Sequence, residues 1–317
     1  MMLCVVFFAV SINFMIPRLI PGDPVEQKLA MLTASGGGGD MNIDEIAGAY
    51  RKKFGLDQSF WKQYLNYWES LLVFDLGYSL ANYPQTVKQV ISAGLPWTMG
   101  LVGLSTIISF VLGSLLGAML VWPKTSRLFK VFSFPLMMIS AIPYFLLGMV
   151  LIYLLAIEVR WFPAGGGYSF GKILGWNWES VKDILWHACL PSISIVLTGI
   201  GTWALGMRGS IVGTLGEDFI SLAEAKGLPK WKILFTYGIQ NSLLPQMTQL
   251  ALSLGYVVTG TILLEVIFSY PGLGYQLYEA IQAKDYFVIQ GIVLVLILGI
   301  AFFTFIIDLL NPLIDPR

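Results

Sequence analysis

The chain has 317 residues, 56% of them hydrophobic and only 12% charged, with a mean hydropathy of +0.73. Average soluble domains carry about 25% charged residues, so a soluble core is excluded and an all-α polytopic membrane protein is expected. Lysine plus arginine equals aspartate plus glutamate, 19 each, which leaves no basic excess to hold nucleic acid.

A membrane helix needs about 20 mostly apolar residues. Residues 1–16 are apolar but short and end at Pro17-Arg18. With no basic stretch ahead and no small-residue cleavage site, they read as a first transmembrane helix rather than a signal peptide. Residues 17–96 form a large extracellular segment, too long for a plain connector. Within it, Thr33 to Asp40 holds four consecutive glycines and is flexible. Asn42 caps a helix that ends near Gly55. Phe60, Trp61, Tyr64, Leu65, Trp68, Leu71 and Leu72 then form a helical stripe. That stripe suits either a helix in the lipid headgroup zone or the core face of a small packed subdomain.

Five further spans are predicted, at roughly 97–122, 132–157, 188–212, 243–268 and 286–310, so that 97–317 is the membrane core. Lys124, Arg127 and Lys130 occupy the 123–131 loop without an acid, and Arg208, Lys226, Lys230 and Lys232 fall in 208–243. The positive-inside rule places both loops, and with six transmembrane helices both termini, on the cytoplasmic side.

The loop 213–243 is a charged island that cannot sit in hydrocarbon. Thr214 and Glu217 have capping-box spacing, and Phe219, Leu222 and Ala223 fall on one helical face. Early acids and a late Lys226 suit the helix dipole. Gly227 can adopt the left-handed stop conformation, and Pro229 fits the first position of a second helix. The island is either a solvated tether or a docking surface. Further on, Pro271 and the glycines of Tyr270–Gly274 favour a tight non-helical turn. Glu265 just before it is expected to be hydrated near the outer end of the fifth span. Glu265, Tyr270, Pro271, Gly272, Leu273 and Gly274 are therefore candidates for an outer gate.

Chemistry is sparse. The cysteines Cys4 and Cys189 have no metal-ligand spacing, and His187 cannot form a histidine-based metal site alone, so no metal site and no catalytic residue is assigned. His187 reads as a structural residue near the membrane surface. Gly166 to Ile173 nearly reads as a phosphate-binding loop with Gly171-Lys172, but Ile173 stands where a hydroxyl must hold magnesium. An ion-driven secondary transporter is the alternative. It would need ionisable groups in mid-membrane, and the spans are nearly bare of them: Glu265 lies near the outer end of the fifth span and Asp308 near the inner end of the sixth, both close to interfaces. A membrane-embedded enzyme would need a catalytic cluster, and none is visible.

Several segments, in order, carry a resemblance. They are Arg18-Leu19-Ile20-Pro21-Gly22-Asp23-Pro24, Phe54-Gly55-Leu56-Asp57, Gln63-Tyr64 and Asp75-Leu76-Gly77-Tyr78-Ser79. Trp161-Phe162-Pro163-Ala164-Gly165, His187 to Pro191, Ala223-Glu224-Ala225-Lys226-Gly227, Tyr270-Pro271-Gly272-Leu273-Gly274 and Asp315-Pro316-Arg317 continue the series. Together they resemble the B-type permease subunits of ATP-binding-cassette importers in the dipeptide, oligopeptide and nickel group, over nearly the whole chain. Ser221-Leu222-Ala223 departs from the general Glu-Ala-Ala opening, and Pro245 lies farther from Gly227 than the general motif has it. Both look like the peptide group's own version. The resemblance implies a transmembrane permease core with a cytoplasmic coupling helix between helices 4 and 5, where Ser221, Leu222, Ala223, Glu224, Ala225, Lys226, Gly227 and Leu228 contact an ATPase. It implies a multi-pass protein of the cell membrane that forms half of a translocation pathway for small peptides or oligosaccharides. Its partners would be a second homologous permease subunit, two ATPase subunits and an extracellular solute-binding protein. ATP and Mg would belong to the ATPases, and this chain would bind no cofactor.

Overall fold

The computed structural model describes residues 2–19, 25–26, 43–122, 124–255 and 262–314. The turn at 20–24, the glycine run, the Asn42 cap and the terminal Asp315-Pro316-Arg317 lie outside those residues. Regular structure among the described residues is helical, apart from one antiparallel bridge between Tyr78 and Thr86. The helices are α1 (Met2–Leu19), α2 (Ile43–Lys53), α3 (Phe60–Leu72), α4 (Val87–Val121), α5 (Arg127–Ile139) and α6 (Tyr144–Glu158). They continue as α7 (Trp178–Leu215), α8 (Asp218–Ala225), α9 (Gln240–Gly255), α10 (Ile262–Ile267), α11 (Leu273–Gln282) and α12 (Tyr286–Ile314).

Several helices exceed their predicted spans. α7 has 38 residues rather than the 25 or so of 188–212, and at 1.5 Å per residue it is ~57 Å long. A hydrocarbon core is about 30 Å thick, so close to half of α7 lies beyond it. Hydropathy marks the apolar part of such a helix, whereas capping marks its start: the Asn177 side chain accepts from Ser180 N at 2.8 Å, eleven positions before the predicted span. α4 likewise begins at Val87, tolerates Pro96 and relaxes into a π-helical turn over Met99–Gly103. The span predicted at 132–157 is two helices bent by 101°. The bend falls at Ser140–Pro143, where Pro143 lacks the amide to continue α5 and instead sits at the N-cap of α6. Among the described residues α4, α7 and α12 are long and apolar enough to cross a membrane singly, and the bent pair makes a fourth.

The chain packs as two compact units: Met1–Pro96 with Gly272–Ala301, and Trp97–Pro271 with Phe302–Arg317. In the first, α3 runs antiparallel to α1. Trp68 stacks on Phe7 at 5.2 Å between centroids, the Tyr64 hydroxyl meets Ser11 at 2.8 Å, and Phe60, Tyr64 and Tyr67 enclose the buried Phe14. The opposite face of α3, with Trp61, Leu65 and Leu72, is exposed. The aromatic stripe thus divides between a packed face and an open apolar face. A reciprocal amide clamp fixes α12 to α1: Asn13 donates to the Gln290 carbonyl at 2.9 Å and Gln290 to the Phe14 carbonyl at 3.2 Å. The buried Asp285 carboxylate accepts from the Ser79 hydroxyl, from Ala81 N at 3.0 Å and from Val288 N at 3.2 Å. It therefore caps α12 and pins the 79–81 turn in one set of bonds.

In the second unit α4 and α7 are in intimate contact through small residues. A Cβ added at Gly113 would lie 2.5 Å from Trp203 Cβ, and one at Gly117 would lie 2.9 Å from Met207 Cβ. This spacing of small residues four apart is the means by which membrane helices approach where no hydrophobic effect draws them together.

Candidate functional site

Two features of the second unit stand out. The first is the island. Thr214 is still inside α7, its hydroxyl donating to the Ser210 carbonyl at 2.9 Å and meeting Ser242 at 3.1 Å. The capping box predicted from Thr214 and Glu217 therefore does not form. Glu217 itself is the N-cap of α8, without a side-chain bond. The C-terminus follows the sequence reading closely. Gly227 has φ +71°, its amide bonds the Glu224 carbonyl at 2.9 Å and the Leu228 amide bonds the Ala223 carbonyl at 3.3 Å. These two bonds are the Schellman pair that satisfies the last carbonyls of a helix. Pro229 is one position earlier than expected, at the N-cap of the single turn Lys230–Lys232, which leads through a π-helical stretch Ile233–Ile239 into α9.

The single face expected for Phe219, Leu222 and Ala223 is split in α8. Ile220 and Ala223 are buried against Ile233, with Phe219, Leu228 and Tyr237 around them. Leu222 is 58% exposed, because it lies on the far side of the helix from Ile220. The outward face therefore comprises Ser221, Leu222, Glu224, Ala225 and Lys226, an apolar side chain ringed by charges and held on a helix anchored from behind.

The second feature is a groove of about 720 Å³ whose described lining comes from α4, α7, α9 and the bend before α6. Thr106 and Ser109, Thr198 and Thr202, and Gln246, Gln249 and Ser253 supply hydroxyls and amides, with Trp203 and Tyr144 as aromatic walls. No charged residue lines it among those described. Gln246 is fixed by donating to the Ser210 hydroxyl at 3.2 Å. Such a surface offers hydrogen-bond donors and acceptors without a fixed charge. These residues were absent from the sequence prediction, although their three- and four-residue spacing in apolar helices is a legible signal.

The gate candidates are placed differently from expectation. Glu265 is 0% exposed rather than hydrated, and accepts from the Thr98 hydroxyl at 2.7 Å. Tyr270 is buried with Leu264 and Phe268, and its amide bonds the Glu265 carbonyl at 2.8 Å. The Gly166 amide bonds the Phe268 carbonyl at 2.7 Å, so the loop after α6 closes over this turn. The chain is non-helical from Phe268 to Gly272, as the turn chemistry suggests, but Leu273 and Gly274 already belong to α11 in the other unit, where both are buried. His187 is largely buried in α7 and bonds the Asp183 carbonyl at 2.9 Å, a structural placement. The near-miss phosphate loop contains the exposed Phe170 and Ile173, and Lys172 pairs with Glu179 at 3.5 Å.

Long apolar helices, a charge-free polar groove and an exposed helix anchored from behind are the features of a multi-span membrane protein. Comparison with known proteins agrees. Residues 109–317 match the family described as the binding-protein-dependent transport system inner membrane component. A probable D,D-dipeptide transport system permease protein of Escherichia coli (strain K12) is 31% identical, covering 96% of this chain and 91% of the relative. The dipeptide transport system permease protein of Lactococcus lactis subsp. cremoris is 26% identical over 100% of this chain and 96% of its own length. An oligopeptide transport system permease protein of Bacillus subtilis is 27% identical, over 96% and 92%. The chain belongs to the family of binding-protein-dependent transport system inner membrane components.

Proposed function

We propose that this chain is one of two permease subunits of an ATP-binding-cassette importer for short peptides. The observation that carries the proposal is α8: a helix closed by a Schellman pair, packed inward through Ile220 and Ala223 and presenting Leu222 within a charged rim. On this reading two ATPase subunits bind the cytoplasmic islands, each contacting Ser221–Leu228. They bind ATP and Mg, and their closure tilts the spans. A second homologous permease completes the pathway, and an extracellular solute-binding protein delivers the substrate. The printed names of the relatives, D,D-dipeptide, dipeptide and oligopeptide permeases, favour peptides over oligosaccharides. The charge-free groove suits a peptide backbone, whose amides match hydroxyl and glutamine partners.

The proposed topology has six spans, with α1, the bent α5–α6 pair and α9–α10 added to α4, α7 and α12, and both termini cytoplasmic. The outer gate is assigned to the Tyr270–Gly274 turn, with the buried Glu265 fixing it from behind rather than lining it. Affinity purification of the chain from its host membrane tests the assignment. ATPase subunits should co-purify, and replacing Leu222 with a charged residue should release them. Recovery of the chain with no nucleotide-hydrolysing partner would overturn it.

A further inference from the structure

The first unit holds a cavity of about 180 Å³ that shares no lining residue with the groove. Arg18 is on its wall. The guanidinium is stacked 3.6 Å from the Phe14 ring centroid and donates only to neutral acceptors: twice to Gln63 Oε1, at 3.2 and 3.0 Å, and once to the Phe14 carbonyl at 2.8 Å. Among the described residues no carboxylate lies within ion-pair range of it. A guanidinium carries five N–H donors, so two are left over. A partly buried cation with no counter-charge gains from an anion that can reach it.

Two more donors line the same cavity. Tyr67 Oη accepts from Asn13 at 3.2 Å, while its own proton has no acceptor among the described residues. Burial pushes this phenol up to about 12, so it remains a donor. The Ser70 hydroxyl, also on the wall, bonds no described residue. Arg18, Tyr67 and Ser70 thus offer unspent donors to one space, the set that recognises an oxyanion. Asp75 on the same wall repels a doubly charged phosphate more strongly than a singly charged carboxylate. Leu71, Leu76 and Phe287 supply apolar lining to the same cavity. The volume is close to the roughly 150 Å³ that holds a benzene ring, enough for one residue.

We propose that this cavity binds the C-terminal residue of a short peptide, with the α-carboxylate on Arg18, Tyr67 and Ser70 and the side chain against Leu71 and Phe287. The proposal rests on the peptide reading above and adds a second peptide site to it. The test uses the complete importer in lipid nanodiscs without binding protein, titrated with alanyl-phenylalanine, with the same dipeptide amidated at its C-terminus, and with inorganic phosphate as competitor. Saturable binding of the free acid is expected, weakened at least tenfold by amidation and by Arg18→Gln, weakened severalfold by Ser70→Ala, and not displaced by equimolar phosphate. Ser70 makes no described side-chain bond, so its variant reads the site without disturbing the core. Absence of binding, equal binding of the amide, indifference to both substitutions, or displacement by phosphate would each overturn the proposal. Uptake in proteoliposomes with binding protein present separates the two readings. Peptide uptake without binding here refutes the cavity alone, whereas failure to take up any short peptide refutes the peptide importer.

Discussion

Gly227 is the position where backbone geometry can be set against coupling with least ambiguity. Its φ of +71° is left-handed, and a Cβ placed there meets nothing within 4 Å. The cost of a substitution is therefore conformational rather than steric. An L-residue with a Cβ in this region costs ~1–2 kcal/mol, which is about a 5- to 30-fold shift in a local equilibrium. Asparagine visits the region more readily, so Gly227→Asn should cost less than Gly227→Ala. Gly227→Pro fixes φ near −65° and also deletes the amide that bonds the Glu224 carbonyl at 2.9 Å. The Schellman pair is then lost and α8 frays at its outward end. The rest of the unit is anchored by Ile220, Ala223 and Ile233 and should stay folded and in the membrane. The assay is substrate-stimulated ATP hydrolysis by the reconstituted importer, with the amount of assembled complex measured in parallel. The expected order of coupling is glycine, asparagine, alanine, proline, with the alanine variant down about 5- to 30-fold and the proline variant uncoupled. A proline variant that couples normally, or an order that ignores left-handed propensity, would refute the reasoning.

Thr98→Val removes the hydroxyl bonded to the fully buried Glu265; it should lower thermal stability by ~0.5–1.5 kcal/mol, the net worth of one hydrogen bond, as read by thermal unfolding in detergent. Gly113→Ala forces a Cβ against Trp203 and should cost ~1–3 kcal/mol, visible as reduced yield of assembled protein, whereas Gly209→Ala, in the same α7 contact partner but with open space around it, should be silent. Asp285→Ala removes the cap of α12 and the anchor of Ser79 and Ala81; the cap alone is worth ~0.5–2 kcal/mol, and limited proteolysis should show new cleavage near residues 79–85. A single cysteine at Thr202, on the groove wall, should react with a thiol reagent at a rate that changes when nucleotide is supplied; a rate indifferent to nucleotide would argue that the groove is not part of the pathway.

The class of protein and the island were readable because both rest on strong local signals: composition, and the Ala-Lys-Gly-Leu stop at residues 225–228, where only a left-handed residue lets the chain turn back. The start of α8 was misread because Thr214 and Glu217 have the right spacing for a box, yet Thr214 finds Ser210 and Ser242 instead. Spacing grouped Phe219, Leu222 and Ala223 on one face, but Ile220 joins Ala223 in the buried cluster and leaves Leu222 exposed. Glu265 looked hydrated from its position near a span end, and no local pattern reveals that Thr98, 167 residues away in sequence, is its hydrogen-bond donor. The polar groove was legible in principle, since its residues recur every third or fourth position, but each helix contributes only a few and their convergence is a tertiary fact. The break at Ser140–Pro143 carried its proline in plain view, yet hydropathy averaged across it.

The most direct test of the account supplies the energy source one at a time. The complex containing this chain, reconstituted with a binding protein in sealed vesicles, is offered a labelled short peptide. ATP and magnesium on the α8 side without any ion gradient should drive uptake, and a proton or sodium gradient without ATP should not. Uptake that follows the gradient and ignores ATP would contradict the account and leave an ion-driven secondary transporter in its place.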